Sequence, residues 1–148
     1  MAFIRCESGG GGPVVATATL WTNNSPSNDF AAQEVTLNDS IDNFDLIEIR
    51  YKNYVGYTGE SGVCWHVEDI KNFGDQKPSS GTVLDNSWSG AMVSYGKVNY
   101  RYVRRLIYVD STHLKFSTGD NETVGTDSGT PQPKACVPLS ITGIKYSS

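Results

Sequence analysis

At 148 residues and 16.1 kDa, with a net charge of −4 and a pI near 5.0, the chain is sized for one ordinary domain. That excludes a multidomain enzyme and offers no basic field to hold a polyphosphate backbone, so nucleic acid is not expected as a partner. Thirteen Val and eight Ile stand against seven Leu and seven Ala, and 53 residues are Gly, Ser, Thr or Asn. This is a mixture for short pleated strands and turns, and it excludes a helix bundle.

In chain order, four glycines (Gly9, Gly10, Gly11 and Gly12) and Pro13 set off a short N-terminal arm in which Phe3 and Ile4 have no periodic apolar partner. Residues 1–13 are therefore read as an arm and Gly-rich linker, with Phe3 and Ile4 as assembly anchors, and 14–148 as one domain. Residues 14–21 and 31–37 read as strands around the polar break at 22–28. Residues 44–52 read as a half-buried strand, with Phe44, Leu46 or Ile47, Ile49 and Tyr51 alternating with Glu48, Arg50 and Lys52. The alternation returns at 62–69, where Val63, Trp65 and Val67 oppose Cys64, His66 and Glu68. Residues 74–89 read as a long loop or weak strand, and 91–95 and 98–109 as two more strands. Asp110, Ser111 and Thr112 form a hairpin turn into 113–117, and a polar, acidic connection at 118–132 leads to the last strand, 135–146. Such a series of short strands without a helix-period window predicts an all-β, antiparallel, jelly-roll-like sandwich.

Two segments carry a resemblance. The stretch Leu20-Trp21-Thr22-Asn23-Asn24-Ser25-Pro26-Ser27-Asn28-Asp29-Phe30, continuing through Ala31 to Leu37 and into Phe44-Asp45-Leu46-Ile47-Glu48-Ile49, resembles small structural proteins of tailed bacteriophages. The closing Val137-Pro138-Leu139-Ser140-Ile141-Thr142-Gly143-Ile144-Lys145 is similar to the ending of the same group. The resemblance covers about 40 residues and implies a β-rich tail, fibre or surface protein of the virion, made in the bacterial cytoplasm. Its partners would be other virion proteins and, for a host-attachment role, a host-surface glycan. It brings no catalytic motif and no cofactor, and the chain has no heptads or collagen-like triplets of its own for a fibre shaft.

The residues themselves point away from catalysis. His66 and His113 have no metal-ligand spacing, and a Cys64–His66 couple lacks a third group to orient a base. The Asp39, Asp42, Asp45 and Asp120, Glu122, Asp127 groups do not follow a calcium-loop pattern and read as turn and strand-end carboxylates. Cys6, Cys64 and Cys136 are spaced for neither a disulfide framework nor a zinc site. Arg101 and Arg105 share a strand face and Arg104 takes the other, so all three read as surface or subunit salt-bridge residues.

Aromatics set among Asn, Asp and Gly are the best binding signal, since rings stack on sugars while their polar neighbours hydrogen-bond. Tyr54 and Tyr57, in a glycine-flanked loop, and Trp88, between two serines, are the ligand-binding candidates; for any single ring the competing reading is core and interface packing, which large aromatics serve more often. The functional expectation is a non-enzymatic, tail- or fibre-associated virion protein that displays a glycan-binding domain. Several copies, most simply a homotrimer, would convert weak contacts into avidity. Capsid decoration or a head fibre anchored by the arm, and a free carbohydrate-binding module, are the rival expectations. No run nears the ~18 apolar residues of a membrane span, and no membrane insertion is expected.

Overall fold

A computed structural model describes residues 14–26, 29–52, 63–68, 78–89, 100–123 and 129–146. Among them ten strands follow one another: β1 (Val14–Thr22), β2 (Gln33–Thr36), β3 (Leu46–Lys52), β4 (Val63–Glu68), β5 (Val83–Ser89), β6 (Tyr100–Asp110), β7 (His113–Phe116), β8 (Asp120–Thr123), β9 (Gly129–Pro131) and β10 (Val137–Tyr146). A 3-10 turn, Ile41–Asn43, is capped by Ser40, whose hydroxyl accepts from Asp42 N.

The strands form two antiparallel sheets. The first runs β1-β10-β3-β4. In the second, β6 is the spine: β5 lies along one edge from Tyr102 to Ile107, and β7 and β8 follow one another along the other. β2 extends this sheet beyond β7, and β9 extends it beyond β8. β4 adjoins β5 on one side of the molecule. On the other side Asn38 donates its backbone N–H to Leu20 O at 2.8 Å and its side-chain amide to Thr19 O at 3.1 Å, tying the segment after β2 to β1. The result is the expected all-β sandwich.

The alternation in β3 buries Ile47, Ile49 and Tyr51 between the sheets, where they meet Leu106, Leu114 and Phe116. Leu46 belongs to the opposite face and joins Ile144 and Tyr146 in a separate small cluster. Trp21, Phe30 and Phe116 pack with ring centroids 5.5–6.0 Å apart, and Tyr51 meets Phe116 edge-on at 6.4 Å. The β1–β10 register shifts between Thr19 and Trp21, so that Leu20 and Trp21, adjacent in sequence, both reach the core. Phe44 lies over Gly143 of β10, whose missing side chain makes room for the ring.

Two sequence readings change and one open reading is decided. Of the loop or weak strand read at 74–89, Val83–Ser89 is a strand, because β6 gives its polar residues a hydrogen-bonding partner. The acidic connection at 118–132 contains β8, which continues the lane of β7 along β6, and β9, which pairs with the outer edge of β8. Arg104 is fully buried, as described below. The strand expected at 91–95 lies outside the described residues. No helix among the described residues is long and apolar enough to cross a membrane.

Candidate functional site

The strand registers give the sandwich two distinct ends. At one end Lys52 pairs with both Val63 and Val137, so the β3–β4 connection at 53–62 is rooted there. In the second sheet Ser89 pairs with Tyr102, and Tyr100 with Thr123; these residues root the connections at 90–99 and 124–128. The Cys136 thiol donates to Tyr102 O at 3.6 Å, and Cys136 directly precedes Val137, so the two sets of roots belong to the same end. These three connections thus leave from one end, together with the β1–β2 connection, whose Asn23 N–H donates to Leu139 O, and the turn before β10; this is the usual place for a binding surface carried on a rigid sandwich.

The opposite end holds the pairs Val14–Tyr146, Leu46–Ile144 and Ile47–Glu68. The β6–β7 hairpin closes there, with Ser111 O accepting from Ile41 N and Thr112 O from Leu37 N. Residues 1–13 join β1 at Val14, and so at this end, away from the three connections.

The sequence candidates fall accordingly. Tyr54 and Tyr57 lie outside the described residues, but the segment that bears them is rooted at the three-connection end. Trp88 is not in a loop: it is the penultimate residue of β5, opposite Val103 and one pair from that same end. Phe3 and Ile4 also lie outside the described residues, in the segment that meets β1 at the far end. Tyr51, Tyr102 and Tyr108 are buried, so for these three tyrosines the packing reading holds. Cys136 is buried, and its thiol makes the hydrogen bond to Tyr102 O.

Sequence reasoning missed the role of Arg104. With Arg101 and Arg105 it reads as part of a basic surface cluster, yet its side chain is wholly buried between the sheets. Its Nε donates to Ala135 O and Cys136 O, both at 3.0 Å, Nη1 to Ser117 O at 2.7 Å and Nη2 to Pro133 O at 3.1 Å. The guanidinium also lies 5.3 Å from the centre of the Phe30 ring. Burial pushes its pKa down to about 10, against the opposing influence of Cys136, Tyr51 and Asp120, so at neutral pH it remains a cation. A Cβ on Gly119 would overlap Gln132 O and lie 2.6 Å from Arg104 Nη2. The only advance signal was phase: residue 104 shares the inward face of Leu106 and Tyr108, whereas Arg105 is out of step with them.

The opposite face of the second sheet carries charge in pairs. Arg105 Nη2 lies 3.0 Å from Glu122 Oε1, an ion pair whose carboxylate is buried. Burial and then the charge of Glu122 raise the Asp120 carboxyl, with Arg105 and Arg104 opposing them. On β3, burial raises Glu48 against the pull of Arg50. Among the described residues no group of three or more His, Cys, Asp or Glu side chains is placed to hold a metal ion.

At the far end Asp110 closes the hairpin. Its Oδ1 accepts from Thr112 N at 2.9 Å, and the His113 ring Nδ1 lies 2.8 and 3.0 Å from its two oxygens. The Thr112 N–H and then His113 hold the Asp110 carboxyl below its ordinary value. A carboxyl depressed in the folded state stabilises the fold above its unfolded value, near 3.9, and that contribution is lost as pH falls through the depressed folded value. An NMR titration of Asp110 is expected to show a midpoint below that of an unstructured aspartate, and protection of the Thr112 amide should fall through the same range. In Asp110→Asn the Thr112 protection is expected to be lower at neutral pH and to lose this acid transition.

The chain matches no known family model, and no curated protein and no solved structure is detectably similar to it.

Proposed function

We propose that this chain is a non-enzymatic structural protein of a tailed-bacteriophage virion, tail- or fibre-associated, that presents a glycan-binding end to the host surface. The observation that carries the reading is the polarity of the sandwich. The arm bearing Phe3 and Ile4 joins at one end, while the segment with Tyr54 and Tyr57 is rooted, and Trp88 is placed, at the other. A module held by one end and exposed at the other is what display requires, and the two segments that resemble phage structural proteins support the same assignment. Tyrosine and tryptophan rings offer flat apolar faces for sugar rings, with Asn and Asp nearby to hydrogen-bond their hydroxyls. Single contacts of this kind are weak, and several copies on one particle, as in a homotrimer, raise the effective affinity without new chemistry.

The test is antibody-gold labelling of intact particles from the phage or prophage that encodes the chain, viewed by electron microscopy. Label at the distal tail is the expected result. Label over the head would make the chain a decoration or head-fibre protein held by the same arm. Particles that carry no label would remove the virion assignment in favour of a free carbohydrate-binding module.

A further inference from the structure

We infer that Arg104 is a positioning residue for the three-connection end: it sets the shape of that end independently of the end where the arm joins. The inference rests on the display reading only in giving that end a purpose.

Each group the guanidinium touches belongs to the frame of that end. Ala135 and Cys136 lead directly into Val137, which pairs with Lys52, the root of the 53–62 connection. Ser117 lies between β7 and β8, and β8 ends at Thr123, the root of the 124–128 connection. Pro133 O accepts from both Arg104 and the Phe30 backbone N–H, linking the same turn to the core aromatics. The side chain starts from the second sheet and reaches the entry of β10 in the first, so it spans both layers.

The break between β7 and β8 explains why the site needs arginine. On β7 the pairing runs Leu106 to Phe116, and Ser117 N donates to Arg105 O; on β8 it resumes with Val103 opposite Asp120. One extra residue on the outer lane is thus taken up opposite Arg104, and Ser117 O turns towards its guanidinium. The turn from Gln132 to Cys136 directs the carbonyls of Pro133, Ala135 and Cys136 at the same group, and Cys136 takes a left-handed φ of 45°. A forked cation with several N–H donors in one plane can serve all four carbonyls; an ammonium, a single point of charge, cannot span them. Gly119 completes the cage by leaving the space that Nη2 occupies. Among the described residues, the bonds that close the far end, such as Ile41 N to Ser111 O and Asp45 N to Ile144 O, are made by residues other than Arg104.

Hydrogen exchange read by mass spectrometry on the full chain tests this, comparing wild type with Arg104→Met and Arg104→Lys, and with Gly143→Ala as a destabilising control at the far end. In Arg104→Met, exchange is expected to rise about tenfold or more in peptides covering 117–123 and 132–139, with 37–46 and 108–114 unchanged. Arg104→Lys should raise it in the same peptides by less, and Gly143→Ala should reverse the pattern. A uniform rise across all peptides in Arg104→Met would reduce the residue to a general contributor to stability and overturn the inference. Binding of the purified chain to host cells, measured on the same variants, separates this inference from the display reading. Localised exchange with loss of cell binding supports both. Localised exchange with binding unchanged upholds the positioning role and overturns the placing of the binding surface at that end. A wild-type chain that binds no host cells overturns display, and the exchange pattern still decides the role of Arg104.

Discussion

Replacement of Gly119 by alanine is expected to lower stability by about 3 kcal/mol, seen as a fall of about 9 °C in Tm. The backbone there needs no left-handed conformation, so the cost is one of space alone. A methyl group would overlap the Gln132 carbonyl oxygen and press on Arg104 Nη2 at 2.6 Å and on Ala135 O at 3.0 Å. Two of these three are main-chain atoms, held by Gln132 N donating to Gly119 O at 2.7 Å and Ala135 N to Gln132 O at 2.9 Å. The turn cannot retreat without breaking the bonds that define it, and the guanidinium cannot retreat without releasing a buried carbonyl. Urea denaturation of the full chain, with the slope unchanged, is the measurement. A midpoint equal to wild type would mean that the turn is softer than its hydrogen bonds indicate.

Gly143→Ala at the other end is expected to cost about 2 kcal/mol by the same mechanism of overpacking. The added Cβ would lie 2.6–2.8 Å from three atoms of the Phe44 ring. Phe44 is buried in the core cluster and follows the 3-10 turn, where its N–H donates to Ile41 O at 3.1 Å, so the ring has little freedom to swing away. The obstacle here is a side chain, and it can be exchanged. Phe44→Leu on its own loses ring contacts and destabilises, but combined with Gly143→Ala it should cost less than the sum of the two, with a coupling of about 1 kcal/mol. Strict additivity in that double-mutant cycle would show that the two residues do not oppose one another. The two glycine substitutions therefore differ in kind: the damage at Gly143 is repairable from one neighbouring position, and the damage at Gly119 is not.

Much of the sandwich was legible in the residues. β1, β3, β4, β6 and β10 announce themselves through β-branched and aromatic residues bounded by turn formers, and the Asp110-Ser111-Thr112 hairpin through its turn chemistry. β5, β8 and β9 were harder because Asp85-Asn86-Ser87 and Asp120-Asn121-Glu122 have the composition of loops. β5 and β8 are strands because β6 is eleven residues long and presents two edges with backbone groups to satisfy, and β9 is one because it pairs with the outer edge of β8. Whether Leu46 or Ile47 enters the core was likewise open in the sequence, since both are apolar; pairing with β10 and β4 settles it for Ile47 and turns Leu46 to the other face.

The candidate site divides in the same way. By itself the sequence determined the strand-rich class, the run of four glycines before Pro13, and the aromatic residues Tyr54 and Tyr57, because composition and local periodicity act over a few neighbours. Only the tertiary structure decided that Trp88 and the root of the segment bearing those tyrosines share one end of the sandwich, that β1 begins at the other, and that Arg104 lies between the sheets as a cation held by four carbonyls. Those carbonyls come from residues 13 to 32 positions away along the chain. Every residue carries such a carbonyl, so its convergence with three others on one side chain depends on strand pairing between distant segments and leaves no mark in residue type.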